Sequence, residues 1–172
     1  DITAYNCKAQ GIDFVTLANN HAVDRGYDGI VNTIDNLNRA GVDSTGAYKS
    51  EEDASTLKTI TVNGIKIGIV SWTYSTNQPI EYPWSVNVFT GSEQELLDQV
   101  QKLDEQCDAV IAAMHWGTEF TYDLSNEQQV LAQQLAYAGA DVIIGNHPHT
   151  VQPAAWLDGK DGKVLCFYSL GN

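Results

Sequence analysis

The chain has 172 residues, a length that corresponds to one domain with a hydrophobic core of its own. Hydrophobic residues make up 43% and charged residues 18%, and no apolar run approaches about 18 residues, so the composition is that of a soluble globular domain without a membrane span. The formal net charge of -13 repels nucleic acid and anionic membrane surfaces, which disfavours both as partners.

The chain ends and the cysteines bear on the cellular context. The sequence begins with DITAYN rather than Met and stops just after an apolar run, so we expect a single domain over 1–172 that is truncated at both ends, with any targeting segment outside it. Cys7, Cys107 and Cys166 are odd in number and far apart, so they cannot all pair within the chain. Cys107 and Cys166 stand beside apolar runs and are expected in the core.

The first half of the chain predicts a strand, a helix and a hairpin. The apolar run over 12–18 predicts a strand, and apolar residues at helical spacing predict a helix over 27–40. Asn63-Gly64 separates two apolar runs and is the favoured dipeptide of a type I′ turn, so an antiparallel hairpin is expected there. The segment over 73–91 is rich in Ser, Thr, Pro and Tyr and predicts a long loop.

The second half predicts two further helices and three strands. One helix is expected to begin at Ser92 and the other at Ser125, where Glu95 and Gln128 complete capping boxes. The predicted strands cover 108–114, 141–145 and 163–170. Because these runs are continuously apolar, they are typical of strands covered on both faces in an α/β sheet. We therefore predict an α/β architecture in which strands near 13–18, 109–114 and 141–145 are adjacent and parallel.

All four histidines follow predicted strands. His21 comes after the run at 12–18, His115 after the run at 108–114, and His147 and His149 after the run at 141–145. Ligand sites of open α/β sheets form at the carboxyl ends of the strands, and neutral imidazole is the commonest metal ligand. A metal site is therefore the leading interpretation. If 147–149 is extended, the H-x-H spacing points both rings to the same side.

Each of these residues also has an ordinary structural explanation. His115 alone could be a hydrogen-bonded histidine at a strand end, and the spacing of His147 and His149 could come from a Pro-bearing turn. Asn19-Asn20 could be a turn of residues that tolerate the left-handed conformation. Because all of these positions fall at one predicted edge, the metal site explains them together. We therefore predict that five residues converge within one pocket: Asn20, His21, His115, His147 and His149.

Four segments carry a resemblance to a known family. They follow one another in the order and at the intervals of the family's motifs: "ANNHAVDRGYDGIVNTIDNLNRAGV", "AAMHWGTEF", "AGADVIIGNHPHTVQP" and "FYSLGN". They resemble the CapA, or PGA_cap, family of bacterial capsule and poly-gamma-glutamate biosynthesis proteins, and the resemblance covers essentially the whole chain. That family is similar to the calcineurin-like metallophosphoesterases. The resemblance implies an α/β fold, a β-sandwich flanked by helices around a two-metal site, here lacking its N-terminal portion.

The resemblance implies a role for each site residue. Asn20 matches the asparagine that reaches toward one metal, and His21 matches the neighbouring histidine that faces the scissile group as a possible acid. His115 matches the single histidine ligand after a central strand. His147 and His149 match the H-x-H pair that divides between the two metals. The implied cofactors are divalent ions of Mn, Zn or Fe.

The chain departs from the superfamily pattern in two places. The motifs that supply the first acidic ligands and the bridging carboxylate have no counterpart, so we expect an incomplete metal site. The phosphoesterase motif has Asp directly after its histidine, where this chain has Ala22. Asp24 is instead a candidate to orient His21, or only a turn or helix-capping residue. Glu119 is a candidate acid or ligand, or only a solvated loop residue.

Capsule biosynthesis with metal-dependent hydrolase or transferase chemistry is the function that the resemblance implies. Two cations could activate water and stabilise an oxyanion. The expected partners are an anionic polymer or phosphoester substrate and other capsule-synthesis proteins. The expected location is the bacterial cell surface, with a membrane anchor outside this segment. A non-catalytic assembly or export component is the alternative, and the charge of -13 disfavours a simple polyanion groove unless metal ions screen the contact.

Overall fold

The structure, a computed structural model that describes residues 2–171, contains two β-sheets flanked by helices. The elements of the first half are, in chain order, α1 (Ile2–Ala9), β1 (Phe14–Thr16), α2 (Gly26–Ala40), β2 (Asp43–Thr45), α3 (Glu51–Ser55), β3 (Thr59–Val62) and β4 (Ile65–Thr73). A short 3-10 helix (Pro83–Ser85) precedes the second half, which contains α4 (Glu93–Asp104), β5 (Ala109–His115), α5 (Asn126–Ala138), β6 (Val142–Asn146), β7 (Ala154–Asp158) and β8 (Lys163–Phe167).

The larger sheet has six strands in the order β3-β4-β5-β6-β8-β7. Strands β4, β5, β6 and β8 are parallel, and the two edge strands run antiparallel to their neighbours. The register pairs Thr73 with His115 and His115 with Asn146, so three neighbouring strands end at the same level. The predicted parallel pairing of the strands near 109–114 and 141–145 is confirmed.

Strand β1 lies outside that sheet. It pairs in parallel with β2, with Phe14 opposite Asp43, in a separate two-stranded sheet. The prediction that the strand near 13–18 is adjacent to the other two in one sheet is therefore wrong. The segment over 17–25 leads from β1 into α2, Gly41 caps the end of that helix in the left-handed conformation, and the chain then returns alongside β1 as β2. Strand β1 therefore pairs with β2 within its own βαβ unit.

The core lies on one face of the six-stranded sheet. Helices α4 and α5 pack there, and Val110, Ala112 and Met114 of β5 are buried beneath them. The alternate residues Ile111 and Ala113 are only half-buried. The expectation of strands covered on both faces is therefore wrong for β5, β6 and β8, whose buried and half-buried residues alternate, whereas the second half of β4 is buried on both faces.

Two of the three predicted turn and cap features are confirmed. Asn63 and Gly64 have φ of 52° and 85°, as a type I′ turn requires, and they join β3 to β4. Ser125 and Gln128 form a capping box at α5. The capping box predicted at Ser92 is wrong: with φ -132° and ψ 27° its backbone leaves the extended conformation of an N-cap, and its side chain makes no cap hydrogen bond.

The three cysteines carry free thiols. Cys166 is fully buried, and burial raises the pKa of its thiol to about 12. Cys107 is partly buried against the same core. Both observations agree with the expectation that these two residues pack in the core. Among residues 2–171 no helix combines the length and the apolar character that crossing a membrane would require.

Candidate functional site

The site is built by the segments that leave three neighbouring strands. Because β4, β5 and β6 end at one level, the residues that follow them reach the same edge of the sheet. Backbone hydrogen bonds extend this alignment, from Tyr74 N–H to the His115 carbonyl (2.9 Å) and from Trp116 N–H to the Asn146 carbonyl (3.1 Å). The edge is therefore fixed by the sheet rather than by a flexible loop.

Three of the four histidines form one cluster at this edge. The ring centroids of His115 and His147 are 4.8 Å apart, and those of His147 and His149 are 6.4 Å apart. Tyr74 packs against the cluster, with its ring centroid 4.7 Å from that of His147 and 6.5 Å from that of His115. The predicted convergence of residues far apart in sequence is confirmed for these histidines.

Burial keeps two of the imidazoles neutral. Desolvation first, and then the neighbouring histidines, lower the pKa of His115 to about 4. Desolvation also lowers the pKa of His147, while the Glu119 carboxylate opposes that shift. A neutral imidazole can carry its hydrogen on either ring nitrogen, so each ring can ligate a metal through the nitrogen left without one.

Asn20 joins the cluster from the segment after β1. Its side chain is buried, and His115 Nε2 lies 2.9 Å from Asn20 Oδ1, at hydrogen-bond distance. An amide oxygen and an imidazole nitrogen are both atoms that ligate divalent cations, so these two could hold one together.

His21 points to the solvent side of the site. Its Nδ1 lies 2.7 Å from Asp24 Oδ2, and both side chains are about half exposed. Asp24 therefore occupies a position from which it orients the His21 ring. It is not the helix cap, since Arg25 is the N-cap residue of α2. Asn19 is a turn residue, as its ordinary explanation expects: its Oδ1 accepts from His21 N–H (2.9 Å) and its Nδ2 donates to the Leu17 carbonyl (3.0 Å).

Glu119 lies between the two histidines of the H-x-H pair. Its Oε1 is 3.9 Å from His147 Nδ1 and 4.0 Å from His149 Nε2. Its side chain is 42% exposed, so it faces both solvent and the cluster. The structure places it at the site, and its roles as acid or ligand remain predictions.

The backbone of the H-x-H pair is not extended. His147 and His149 have φ of 104° and 56°, in the left-handed region that non-glycine residues rarely adopt. The argument from an extended H-x-H backbone is therefore wrong, and a turn sets the spacing of the pair. Phe120 N–H donates to the Pro148 carbonyl (2.7 Å), and Thr150 Oγ1 donates to the Thr121 carbonyl (2.7 Å). Such strain occurs where the surrounding structure imposes it, often at functional sites.

Two adjoining depressions contain the predicted residues and share His147. A cavity of about 330 Å³ borders His115, His147 and His149 and is walled on the far side by Thr16 and Ala18. An open depression next to it is lined by Asn20, His21, Tyr74, Asn77, Glu119 and His147, among others. The carboxyl end of β1 thus reaches the site although β1 belongs to the other sheet.

The sequence did not identify two residues of the site. Tyr74 packs on the histidines, and Asn77 contacts both Asn20 and His21. Both follow β4, whose sequence was interpreted only as the second strand of a hairpin. The signal that could have found them is the same one that found His115, namely polar or aromatic residues directly after a parallel strand.

The fit to a metal ion is partial. Among residues 2–171 no three His, Cys, Asp or Glu side chains are grouped so that they could hold a metal ion. The fit therefore rests on Asn20 Oδ1 and His115 Nε2, with the neutral ring of His147 beside them. These donors are uncharged, so they would supply ligands but little charge compensation.

The chain matches the family described as bacterial capsule synthesis protein PGA_cap over residues 2–172. The chain belongs to this family. It is 32% identical to the PGA biosynthesis protein CapA of Bacillus subtilis (strain 168) over 159 residues, which cover 90% of this chain and 40% of that protein. It is also 32% identical over 173 residues to the capsule biosynthesis protein CapA of Bacillus anthracis, covering 96% of this chain and 40% of that protein. This PGA_cap chain therefore spans less than half the length of either relative.

Solved structures of lower identity share the fold of this PGA_cap chain. A putative 5′-nucleotidase from Staphylococcus aureus, in complex with alpha-ketoglutarate, superposes with a TM-score of 0.58 at 20% identity over 96% of this chain and 36% of that chain. A hypothetical protein from Thermus thermophilus superposes with a TM-score of 0.57 at 20% identity over 95% of this chain and 55% of that chain. The α/β architecture expected of a metallophosphoesterase-type fold is thereby confirmed.

Proposed function

We propose that this chain acts in bacterial capsule or poly-gamma-glutamate biosynthesis and supplies the imidazole-rich part of a divalent-cation site with hydrolase or transferase chemistry. The observation that carries the proposal is the 2.9 Å approach of Asn20 Oδ1 and His115 Nε2, with the neutral ring of His147 beside them. Family membership and the names of the Bacillus relatives support the biosynthetic role.

The proposal gives each residue of the site a part. Asn20, His115, His147 and His149 would hold Mn, Zn or Fe as divalent ions. A bound cation lowers the pKa of a water ligand and stabilises developing negative charge. His21, oriented by Asp24, would face the reacting group as an acid from the exposed side of the site. Glu119 would serve as a further acid or ligand.

The charge of the chain sets a condition on the anionic substrate that the family resemblance implies. An anionic polymer or a phosphoester needs positive charge at its binding site, and this chain has a net charge of -13. A divalent cation at the strand ends would supply that charge locally. Two mycobacterial relatives, 28% identical, are named probable polyglutamine synthesis accessory proteins, which supports other capsule-synthesis proteins as partners. We place this activity at the bacterial cell surface, with no contact between this segment and the membrane.

Titration calorimetry with manganese or zinc tests the proposal. The wild-type chain should bind a divalent ion, and His115→Ala and Asn20→Ala should each lose most of that binding. Gln106→Ala is a matched control, because Gln106 is exposed, precedes β5 at the end of the strand opposite to His115, and donates its side chain to the Lys102 carbonyl. The proposal is wrong if both site variants bind the ion as tightly as the control.

A further inference from the structure

Asn77 makes three contacts with two consecutive residues of the site. Its backbone N–H donates to the Asn20 carbonyl (2.7 Å). Its Oδ1 accepts from Asn20 Nδ2 (3.3 Å). Its Nδ2 lies 3.3 Å from His21 Nδ1, which pairs with Asp24 Oδ2 at 2.7 Å, so this approach is a contact and not a further hydrogen bond. Asn77 itself is exposed and lies in the segment between β4 and the 3-10 helix, so burial does not explain why its side chain takes this position.

The contact with Asn20 decides which end of a carboxamide faces His115. A carboxamide has a donor end and an acceptor end of nearly the same shape, so rotation by half a turn exchanges them. With Asn77 Oδ1 accepting from Asn20 Nδ2, the oxygen of Asn20 is left facing His115 Nε2. Only this orientation presents to a cation the atom that can ligate it.

We infer that Asn77 is a positioning residue that holds the Asn20 carboxamide with Oδ1 toward His115 and the proposed cation. The inference rests on the proposed function for its cation, and on the hydrogen bonds alone for its geometry. Asn77 does not touch the proposed cation. It acts through Asn20, as residues that hydrogen-bond to metal ligands do.

The tautomer of His115 reports the orientation without any metal. When Asn20 Oδ1 faces it, Nε2 must carry the hydrogen and donate. When the amide turns and presents Nδ2, the same nitrogen must accept, and the hydrogen moves to Nδ1. At about pH 8, above the ordinary imidazole pKa of about 6.5, the ring carries a single hydrogen, so its tautomer is defined under the conditions of the measurement. Long-range ¹H–¹⁵N correlation spectra of the imidazole distinguish the two forms.

The experiment compares Asn77→Ala, Asn77→Asp and Gln78→Ala in the chain treated with a chelator. Asn77→Ala removes the acceptor for Asn20 Nδ2, so His115 should lose the wild-type Nε2–H form. Asn77→Asp retains an acceptor oxygen at this place and should retain that form. Gln78→Ala is the matched control. Gln78 is the next residue in the chain, and it accepts a hydrogen bond from Thr76 Oγ1 through its backbone carbonyl, which the substitution retains. In all variants the backbone contact from residue 77 to Asn20 remains available.

Manganese titration of the same variants adds the functional readout. Asn77→Ala should bind the ion about tenfold more weakly than wild type, as is typical when an orienting partner of a ligand is lost. Asn77→Asp should bind at least as tightly as wild type. If Asn77→Ala keeps the wild-type tautomer of His115, the positioning role is wrong. If the tautomer changes but the wild-type chain binds no ion, the positioning role stands and the proposed function is wrong.

Discussion

His115 is a histidine whose protonation opposes folding. Its pKa is about 4 in the folded chain, chiefly because of burial, against an ordinary value of 6.5. Between these two values the unfolded chain binds a proton at this position that the folded chain does not bind. The free energy of unfolding therefore falls as the pH drops from 6.5 to about 4, and this contribution is constant above and below that window.

Replacing His115 by Gln should flatten this dependence. The variant has no imidazole to protonate on unfolding, so it should lose less stability than wild type between pH 6.5 and pH 4. Urea unfolding at several pH values in this window, with Gln78→Ala as a second reference, measures the difference. Parallel pH profiles for wild type and His115→Gln would contradict the assignment of His115 as a neutral, desolvated ring.

The Glu119 carboxylate should raise the pKa of the neighbouring His147. Burial lowers the pKa of His147, and the Glu119 carboxylate raises it in opposition. Glu119→Gln removes the opposing charge, so the pKa of His147 should fall further, as an NMR titration of the metal-free chain would detect. Asp123→Asn is the matched control, because Asp123 lies on the same loop and is not among the groups that shift His147. An unchanged or raised value in Glu119→Gln would show that the carboxylate does not act on this ring.

At the scale of the elements, β6 depends on a close approach that only glycine permits. A Cβ added to Gly145 would overlap the Tyr168 carbonyl oxygen and Trp116 Nε1, which are hydrogen-bonded to each other at 2.9 Å in the core. Trp116 and Tyr168 are both buried, so neither can move aside without disturbing other contacts. Strand β6, which leads into the H-x-H pair, is thereby packed closely against the residues that follow β5 and β8.

Gly145→Ala should therefore destabilise the chain by about 3 kcal/mol, the upper part of the range for overpacked cores. Gly64→Ala is the comparison, because a Cβ there meets no atom and only the left-handed backbone, with φ of 85°, opposes the change. That variant should cost about 1 kcal/mol. Chemical unfolding of both variants measures the two costs, and equal losses would mean that the packing around Gly145 is not tight.

The sequence predicted those elements whose signals are local. The hairpin at Asn63-Gly64, helix α2 and the parallel pair β5 and β6 are confirmed, since turn residues and apolar periodicity specify each of them directly. Local sequence patterns did not specify which strands pair when the strands are far apart in the chain. Nothing in the run at 12–18 distinguishes pairing with β2 from pairing with β5. Strands β2 and β7 were missed, because β2 has three residues and β7 has exposed alternate positions.

The residues of the site were likewise predicted only where a local sequence signal marks them. The histidines were found because each follows an apolar strand, and the register then brought His115 and His147 together. Tyr74 and Asn77 were missed because the hairpin signal concealed that β4 is also a parallel neighbour of β5. The left-handed conformation of His147 and His149 was not foreseen either, since the segment hydrogen-bonds to the loop around Phe120, which is distant in sequence.

At the scale of the whole molecule, the donors available limit metal binding. Two adjacent divalent ions repel each other, and bridging carboxylates normally offset that repulsion, whereas this site offers neutral imidazoles and an amide. Asp24 and Glu119 are the nearby acids, and Glu119 Oε1 stays 3.9 Å or more from the two histidines beside it. The 172-residue chain should therefore bind at most one divalent ion, weakly, and show little or no phosphoesterase activity by itself.

Calorimetric stoichiometry with zinc or manganese decides this prediction. One weak site that is lost in His147→Ala would agree with it. Two tight sites per chain would contradict it, and would mean that carboxylates of this chain move into the site when metal is added. Hydrolysis of a chromogenic phosphodiester, measured on the same samples, gives the corresponding limit on activity.

Because β4, β5 and β6 end at the same level, ligand binding at the site is coupled to global unfolding of the chain. Residues near positions 20, 77, 115 and 147 come together only when the central strands are paired, so a ligand that joins them binds the folded chain and not the unfolded one. At 100 times its dissociation constant such a ligand adds about 2.7 kcal/mol to the free energy of unfolding. Amide hydrogens in the middle of the six-stranded sheet, which exchange through global opening, would then exchange about 100-fold more slowly, even where they lie far from the ligand.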